Sequence, residues 1–268
     1  MSKLQKLLKA TKLILQNPAL LNKVLDAPEV KQNEVKQKYG MTEGLKTIQI
    51  SDLLPNLNDT IEPFSFLDGG STPLDLLLLK TLAKRYKECE YFEIGTWRGE
   101  SVANVASVAK HCTTLNLPDT DMLAMGLDKN YVQSHRFFSK QLSNTTHLQG
   151  NSLSYDYTTL NKKFDLVFID GDHHYESVKS DTMNAFKLLK DEHSIIVWHD
   201  YGNNPTDVRW DVLKGIMAGT PENKRKQLFH VANTLCAIYI SEDIKADFIN
   251  SFSTPTNYFS ITIKNNEL

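Results

Sequence analysis

Short apolar runs alternate with helically patterned stretches between Tyr91 and Trp198. The runs Tyr91–Ile94, Cys112–Leu117, Thr146–Gln149, Phe164–Ile169 and Ile195–Trp198 predict strands, because strands buried on both faces read as short, nearly unbroken apolar segments. Between them, Glu100–His111 and Tyr175–Lys190 predict helices, and Asp119–Leu142 predicts a mostly helical connection. Such alternation implies a parallel sheet covered by helices. After Trp198 the rhythm changes. A helical segment near Asp207–Met217 precedes Leu228–Val231 and Leu235–Ile240, which predict a closing antiparallel pair.

The flanks are patterned differently. Ser2–Gln16 predicts a basic amphipathic helix, with Lys3, Lys6, Lys9 and Lys12 spaced among Leu4, Leu7, Leu8, Ile14 and Leu15. Pro18 closes it, and a second short helix is expected at Ala19–Leu25. Three roles fit this extension: packing its leucines on the main domain, a homodimer contact, or contact with an anionic membrane surface. Residues 26–58 are polar, carry a short Ile48–Leu54 element and read as connection. Ser65–Pro73 is a turn-rich loop that either starts the next helix or folds over a ligand. Thr72 suits the cap and Pro73 the first position of a helix over Pro73–Lys87. Beyond Ser241 the chain is polar, with one further strand expected at Tyr258–Lys264. The expected division is 1–58 extension, 59–242 α/β domain and 243–268 tail.

Composition narrows the class. The 268 residues are 41% hydrophobic and 23% charged, as in soluble globular proteins. A net charge of −2 gives no sign of nucleic-acid binding. Cys89, Cys112 and Cys236 are too few and too scattered for a disulfide framework or a zinc-finger spacing, and they suit a reducing compartment. No apolar run approaches the ~18 residues that cross a bilayer. Lysines run through the first apolar stretch, which argues against a secretory signal. The expected location is the cytoplasm.

The chemistry gathers at strand ends, where open α/β sheets bind their ligands. One predicted strand ends in Asp170-Gly171-Asp172-His173-His174, and its neighbour ends in His199-Asp200-Tyr201. Upstream, Glu93-Ile94-Gly95-Thr96-Trp97-Arg98-Gly99 lies between a strand and a helix. Its G-x-x-x-G spacing differs from the G-x-G-x-x-G of dinucleotide enzymes. About twenty residues on, where a ribose-binding carboxylate is usual, the chain has Asn116, with Asp119 and Asp128 as substitutes nearby. Gly150-Asn151-Ser152 follows the third predicted strand.

In this order, YFEIGTWRGES (Tyr91–Ser101), Gly150-Asn151-Ser152, DLVFIDGDHHY (Asp165–Tyr175) and IIVWHDY (Ile195–Tyr201) resemble the class I S-adenosylmethionine-dependent methyltransferases. The likeness lies nearest the group that includes metal-dependent macrolide and aminocoumarin sugar O-methyltransferases. It spans roughly Tyr91–Ile240. It implies a Rossmann-like, doubly wound seven-stranded sheet, mostly parallel, closed by an antiparallel hairpin. It also implies that Glu93, Gly95, Thr96, Trp97 and Gly99 hold the amino-acid and ribose parts of S-adenosylmethionine. Asn116 would face the ribose, Asn151 and Ser152 the adenine, and Asp170 the methionine moiety. A divalent cation, Mg²⁺ or Mn²⁺, would take Asp170, His199 and Asp200 as ligands. Asp172 matches the family's general base.

The residues leave alternatives open. His199 replaces an expected carboxylate, which moves preference from Mg²⁺ toward Mn²⁺, Fe²⁺ or Zn²⁺. Without a metal, His199 or His173 suits the role of base. Asp172 also suits a helix cap. The reading implied is O-methylation of a hydroxyl on a small molecule or sugar. Rival readings are a nicotinamide oxidoreductase, a non-haem metal oxygenase or hydrolase using Asp170, His173 and His199, and a methyltransferase-like binding protein without turnover.

Overall fold

The computed structural model describes residues 1–25, 27–250, 254 and 256–267. Its strands in chain order are β1 (Thr47–Ile48), β2 (Glu90–Ile94), β3 (His111–Asn116), β4 (Thr145–Gln149), β5 (Leu166–Ile169), β6 (Ile195–Trp198), β7 (Leu228–Val231), β8 (Ala237–Tyr239) and β9 (Ala246–Asp247). They form one sheet of order β4-β3-β2-β5-β6-β8-β7-β1-β9. From β4 to β6 every pairing is parallel. β8 runs antiparallel to both β6 and β7. The seven expected strands and their closing hairpin are therefore present.

The described residues add two strands to the expected seven. β1 pairs parallel with β7 and antiparallel with β9, two residues in each case. Strands this short have no sequence period. They form because β7 offers an edge of unpaired backbone groups.

The helices are α1 (Lys3–Gln16), α2 (Leu20–Leu25), α3 (Pro28–Tyr39), α4 (Ile50–Leu53), α5 (Pro73–Ala83), α6 (Glu100–Ala106), α7 (Asp119–Ala124), α8 (Lys129–Ser134), α9 (Tyr175–Leu188) and α10 (Trp210–Gly219). Helices α3, α9 and α10 cover one face of the sheet and α5 and α6 the other. Side chains alternate across a strand, and the central strands obey this rule. Phe92, Val167, Ile169, Ile196 and Trp198 point to the core under α3, α9 and α10. Tyr91, Leu166, Phe168, Ile195 and Val197 point to the core under α5 and α6. Burial on both faces explains the unbroken apolar runs of β5 and β6.

Several expectations need correction. The polar connection contains α3, of which only Val35 is buried. That helix packs against α10, joined by Lys214–Glu34 at 2.7 Å and Lys31–Asp211 at 3.3 Å. Gly40 ends it in the left-handed region, φ +71°. α5 stops at Ala83 and α6 at Ala106, both earlier than their patterns suggested. Tyr258–Lys264 forms no strand; its alternation finds no sheet edge to join. The portions of the expected tail at 251–253, 255 and 268, and position 26 of the connection, lie outside the described residues. α1 buries none of its residues, so its leucines do not pack on the domain. No described helix is long and apolar enough to cross a membrane.

Candidate active site

The loop after β2 is shaped by two glycines. The Gly95 N–H donates to the Leu115 carbonyl at 2.9 Å. Its φ is +86°, and a Cβ there would stand 2.2 Å from the Asp170 carbonyl oxygen. Only glycine lets this loop press against the end of β5. Gly99, φ +82°, starts α6, and its Cβ would meet Ser139 Oγ at 2.3 Å. Between them, Arg136 N–H donates to the Trp97 carbonyl at 2.6 Å, and Phe138 N–H to the Arg98 carbonyl at 2.8 Å. The Trp97 ring lies edge-on to Tyr131, with centroids 4.3 Å apart. Its buried Nε1–H finds no acceptor among the described residues.

Glu93 sits beneath this loop, fully buried. It accepts hydrogen bonds from Tyr91 Oη at 2.5 Å, Ser101 Oγ at 3.0 Å and Thr96 Oγ1 at 3.1 Å. Burial pushes its carboxyl up to about 8, against the pull of the Tyr91, Ser101 and Thr96 hydroxyls and with a further push from Asp170. Burial thus favours the uncharged form of this carboxyl, which is held beneath the loop by three hydroxyl groups.

The missing ribose carboxylate has a structural account. Asn116 Oδ1 accepts from Thr96 N–H at 3.2 Å, and its Nδ2 donates to the Leu117 carbonyl at 3.3 Å. This side chain therefore clamps the glycine loop to the end of β3. Neither nearby acid replaces it. Asp119 binds Arg136 Nη2 through both oxygens, at 2.7 and 2.8 Å, and Asp128 caps α8. Gly150 N–H donates to the Asn116 carbonyl at 2.8 Å, which sets Asn151 and Ser152 beside this clamp. Asn151 is exposed, and its Oδ1 makes a local turn with Leu153 N–H at 3.0 Å.

One strand over, the ends of β5 and β6 converge. Potential ligand atoms of Asp170, His199 and Asp200 all lie within 4.8 Å of one another. His199 is buried. Its Nδ1 stands 3.1 Å from Asp170 Oδ1 and 3.3 Å from Asp200 Oδ2. Despite these distances it makes no well-directed hydrogen bond. A buried ring nitrogen aimed between two carboxylates suits a shared cation, a proton in the metal-free protein or a metal ion in its place.

The other ring nitrogen meets a residue that the sequence reading missed. His199 Nε2 lies 3.2 Å from Oδ2 of Asp75. Asp75 is fully buried on α5. The same carboxylate accepts from Thr72 N–H at 2.6 Å in a capping box and from Leu235 N–H at 2.8 Å. Nε2–H donation to Asp75 turns Nδ1 toward Asp170 and Asp200, the arrangement by which carboxylates orient metal-binding histidines. Burial opposes an imidazolium at His199, but Asp170, Asp200 and Asp75 outweigh it and hold its value well above the ordinary range. Burial likewise works against charge on Asp75 and Asp200, and His199 in each case keeps the carboxyl below its ordinary value.

Two further predicted site residues, His173 and Asp172, lie near this cluster. His173 Nε2 lies 3.2 Å from Asp200 Oδ2, with the ring half-exposed. Asp200 is also paired with Arg209 Nη1 at 3.0 Å, and its φ of +58° is unusual for a residue with a side chain. Asp172 faces elsewhere. Its carboxylate accepts from Ser177 Oγ at 2.8 Å and His174 N–H at 3.2 Å, at the start of α9. Burial opposes its charge, yet the His174 and Ser177 bonds hold the carboxyl below its ordinary value. The N-cap of α9 is His174, so Asp172 braces the turn before the helix and its first turn rather than capping it. Tyr201 and Trp210, which follow the end of β6, pack into the core.

Residues 92–201 match the model of a methyltransferase-domain family. The chain is 30% identical over 151 residues to "Uncharacterized protein R132" of Acanthamoeba polyphaga mimivirus, covering 53% of this chain and 64% of that relative's length. Among solved structures it is similar to an O-methyltransferase from Bacillus cereus in complex with S-adenosylhomocysteine, at 16% identity and a TM-score of 0.42, covering 82% of this chain and 94% of that one. It is also similar to the N-methyltransferase NodS from Bradyrhizobium japonicum, at 16% identity and a TM-score of 0.36, covering 48% and 60%. The family match covers the glycine loop and the two converging strand ends, within a sheet that has the expected closing hairpin, so residues 92–201 are similar to a methyltransferase domain over the part of the chain that carries the candidate site.

Proposed function

We propose that this chain transfers the methyl group of S-adenosylmethionine to a hydroxyl oxygen of a small molecule or sugar, with a divalent cation held by Asp170, His199 and Asp200. The observation that carries the reading is His199 Nδ1, buried and without a directed hydrogen bond between two carboxylates. A bound cation would polarise the acceptor hydroxyl and favour its alkoxide. With one imidazole among the ligands, Mn²⁺ or Fe²⁺ suits the set better than Mg²⁺.

The chain's own residues supply alignment. Methyl transfer needs nucleophile, methyl carbon and sulfur in line. Gly95, Thr96, Trp97 and Gly99 would cradle the methionine and ribose, with Glu93 beneath the cationic end and Asn116 fixing the loop. Asn151 and Ser152 would border the adenine. The close approach of Gly95 to the Asp170 backbone supports a donor methyl presented toward the Asp170–His199–Asp200 cluster.

The acceptor's proton needs a base. Asp172 is committed to the start of α9, and His199 to Asp75. His173 fits best: Nε2–H donation to Asp200 leaves Nδ1 as acceptor on a half-exposed ring. The oxygenase alternative loses support here. It calls for two histidines and one carboxylate, whereas the clustered atoms come from one histidine and two carboxylates.

Mn²⁺ titration of chelator-treated protein, followed by electron paramagnetic resonance, tests the metal claim. One site is expected, weakened at least ~10-fold in Asp200→Ala while S-adenosylhomocysteine still binds. Absence of a Mn²⁺ site would reject the cation. A screen of sugars and phenols for S-adenosylhomocysteine release tests the acceptor class; turnover unaffected by EDTA would count against the metal.

A further inference from the structure

We propose that α1 attaches the protein to an anionic lipid surface. Leu4, Leu7, Leu8 and Leu15 are 65%, 62%, 63% and 77% exposed, and neither α1 nor α2 buries any residue. At ~100° per residue, these four leucines share one arc of α1 with Thr11 and Ile14. Lys6 and Lys9 lie on the opposite arc with Leu13, and Lys3 and Lys12 border the apolar arc on either side. After the break at Asn17–Pro18, α2 adds exposed Leu21, Val24 and Leu25.

Charge selects the occupant. Residues 1–25 hold five lysines and no acidic residue, and removing them from the net −2 of the chain leaves −7 on the rest. An apolar arc bordered by charges of a single sign matches the boundary between acyl chains and anionic headgroups. Pairing α1 with the α1 of a second copy would set lysines against lysines with no acid to neutralise them. A helix of 14 residues is marginal alone in water, even with the capping box made by Ser2 and Gln5. A surface that takes the leucines would therefore also stabilise the helix. The acidic remainder would be repelled from that surface, so contact falls to α1.

The test is co-sedimentation of the full chain with vesicles of phosphatidylcholine, alone or with about one-third phosphatidylserine. At least ~10-fold stronger partition to the anionic vesicles is expected, falling by a similar factor at ~0.5 M salt. Replacing Lys3, Lys6, Lys9 and Lys12 by Gln should abolish the preference for phosphatidylserine. The pair Leu7→Glu and Leu8→Glu should abolish binding altogether. Both variants should keep S-adenosylhomocysteine binding, which certifies the fold. Equal partition of the wild type between the two vesicle types, or none, would overturn the proposal. So would light scattering showing a dimer that Leu7→Glu converts to monomer without any vesicle binding.

Discussion

Asp75 shows how one side chain can serve two levels of structure. As the third residue of α5 it closes a capping box with Thr72, and with the same carboxylate it holds His199 Nε2. The local role hid the distant one in the sequence: an acid three residues after a threonine already has an explanation. His199, by contrast, was legible, because a histidine at the end of an apolar strand has no comparable local use. If Asp75 sets the orientation of His199, Asp75→Asn should weaken Mn²⁺ binding about 10- to 100-fold and leave S-adenosylhomocysteine affinity unchanged. Titration calorimetry with each ligand checks both halves.

Glu93 gives a pH-dependent counterpart. Its folded-state value is raised to about 8 by burial, above an unfolded value near 4.5. Between these values the folded state binds more protons than the unfolded chain. The Glu93 contribution to stability is therefore fully present below the unfolded value and is lost as pH rises toward 8. Glu93→Gln should raise the melting temperature of the ligand-free protein at pH 8 by about 3 °C or more. The gain should vanish at pH 5, and melting curves at the two pH values measure it. Above about pH 8, where Glu93 is ionised, Glu93→Gln should also weaken binding of the cationic S-adenosylmethionine more than that of neutral-sulfur S-adenosylhomocysteine.

At the level of elements, the parts of the site that were legible share a cause. β5 and β6 are buried on both faces, so their apolar runs stop abruptly where the chain meets the ligand side. α3 was hidden because it buries only Val35 and is otherwise polar; its partners lie on α10, far along the chain. β1 and β9 were hidden because two-residue strands exist only through their neighbours. Tyr258–Lys264 misled for the converse reason, an alternating pattern without a partner strand.

The glycine loop yields a controlled comparison between glycines of similar backbone and different surroundings. Gly95→Ala combines φ +86° with a Cβ 2.2 Å from backbone oxygen. It should cost about 3 kcal/mol or more and abolish S-adenosylhomocysteine binding. Gly126 has φ +85° and nothing within 4 Å of a Cβ, so Gly126→Ala should cost only about 1 kcal/mol and leave binding intact. Denaturant unfolding of the two variants separates close approach from backbone strain.

The whole molecule divides into a packed α/β unit and helices α1 and α2, which share none of its core. Removing residues 1–25 should shift the melting temperature by less than about 2 °C, as scanning calorimetry would show. The extension around α3 and β1 belongs to the packed unit. β1 joins the sheet at β7, and Leu45 N–H donates to the buried Tyr201 Oη at 2.7 Å, two residues from His199. Residues far from the glycine loop thereby brace the strand end that carries the site.

The central claim, a methyl-donor site built on the β2 loop beside the Asp170–His199–Asp200 cluster, is tested most directly by calorimetric titration with S-adenosylhomocysteine. The account predicts saturable one-to-one binding by the wild type that Gly95→Ala abolishes and NAD(H) cannot reproduce. No binding of S-adenosylhomocysteine by the folded wild-type chain would contradict it.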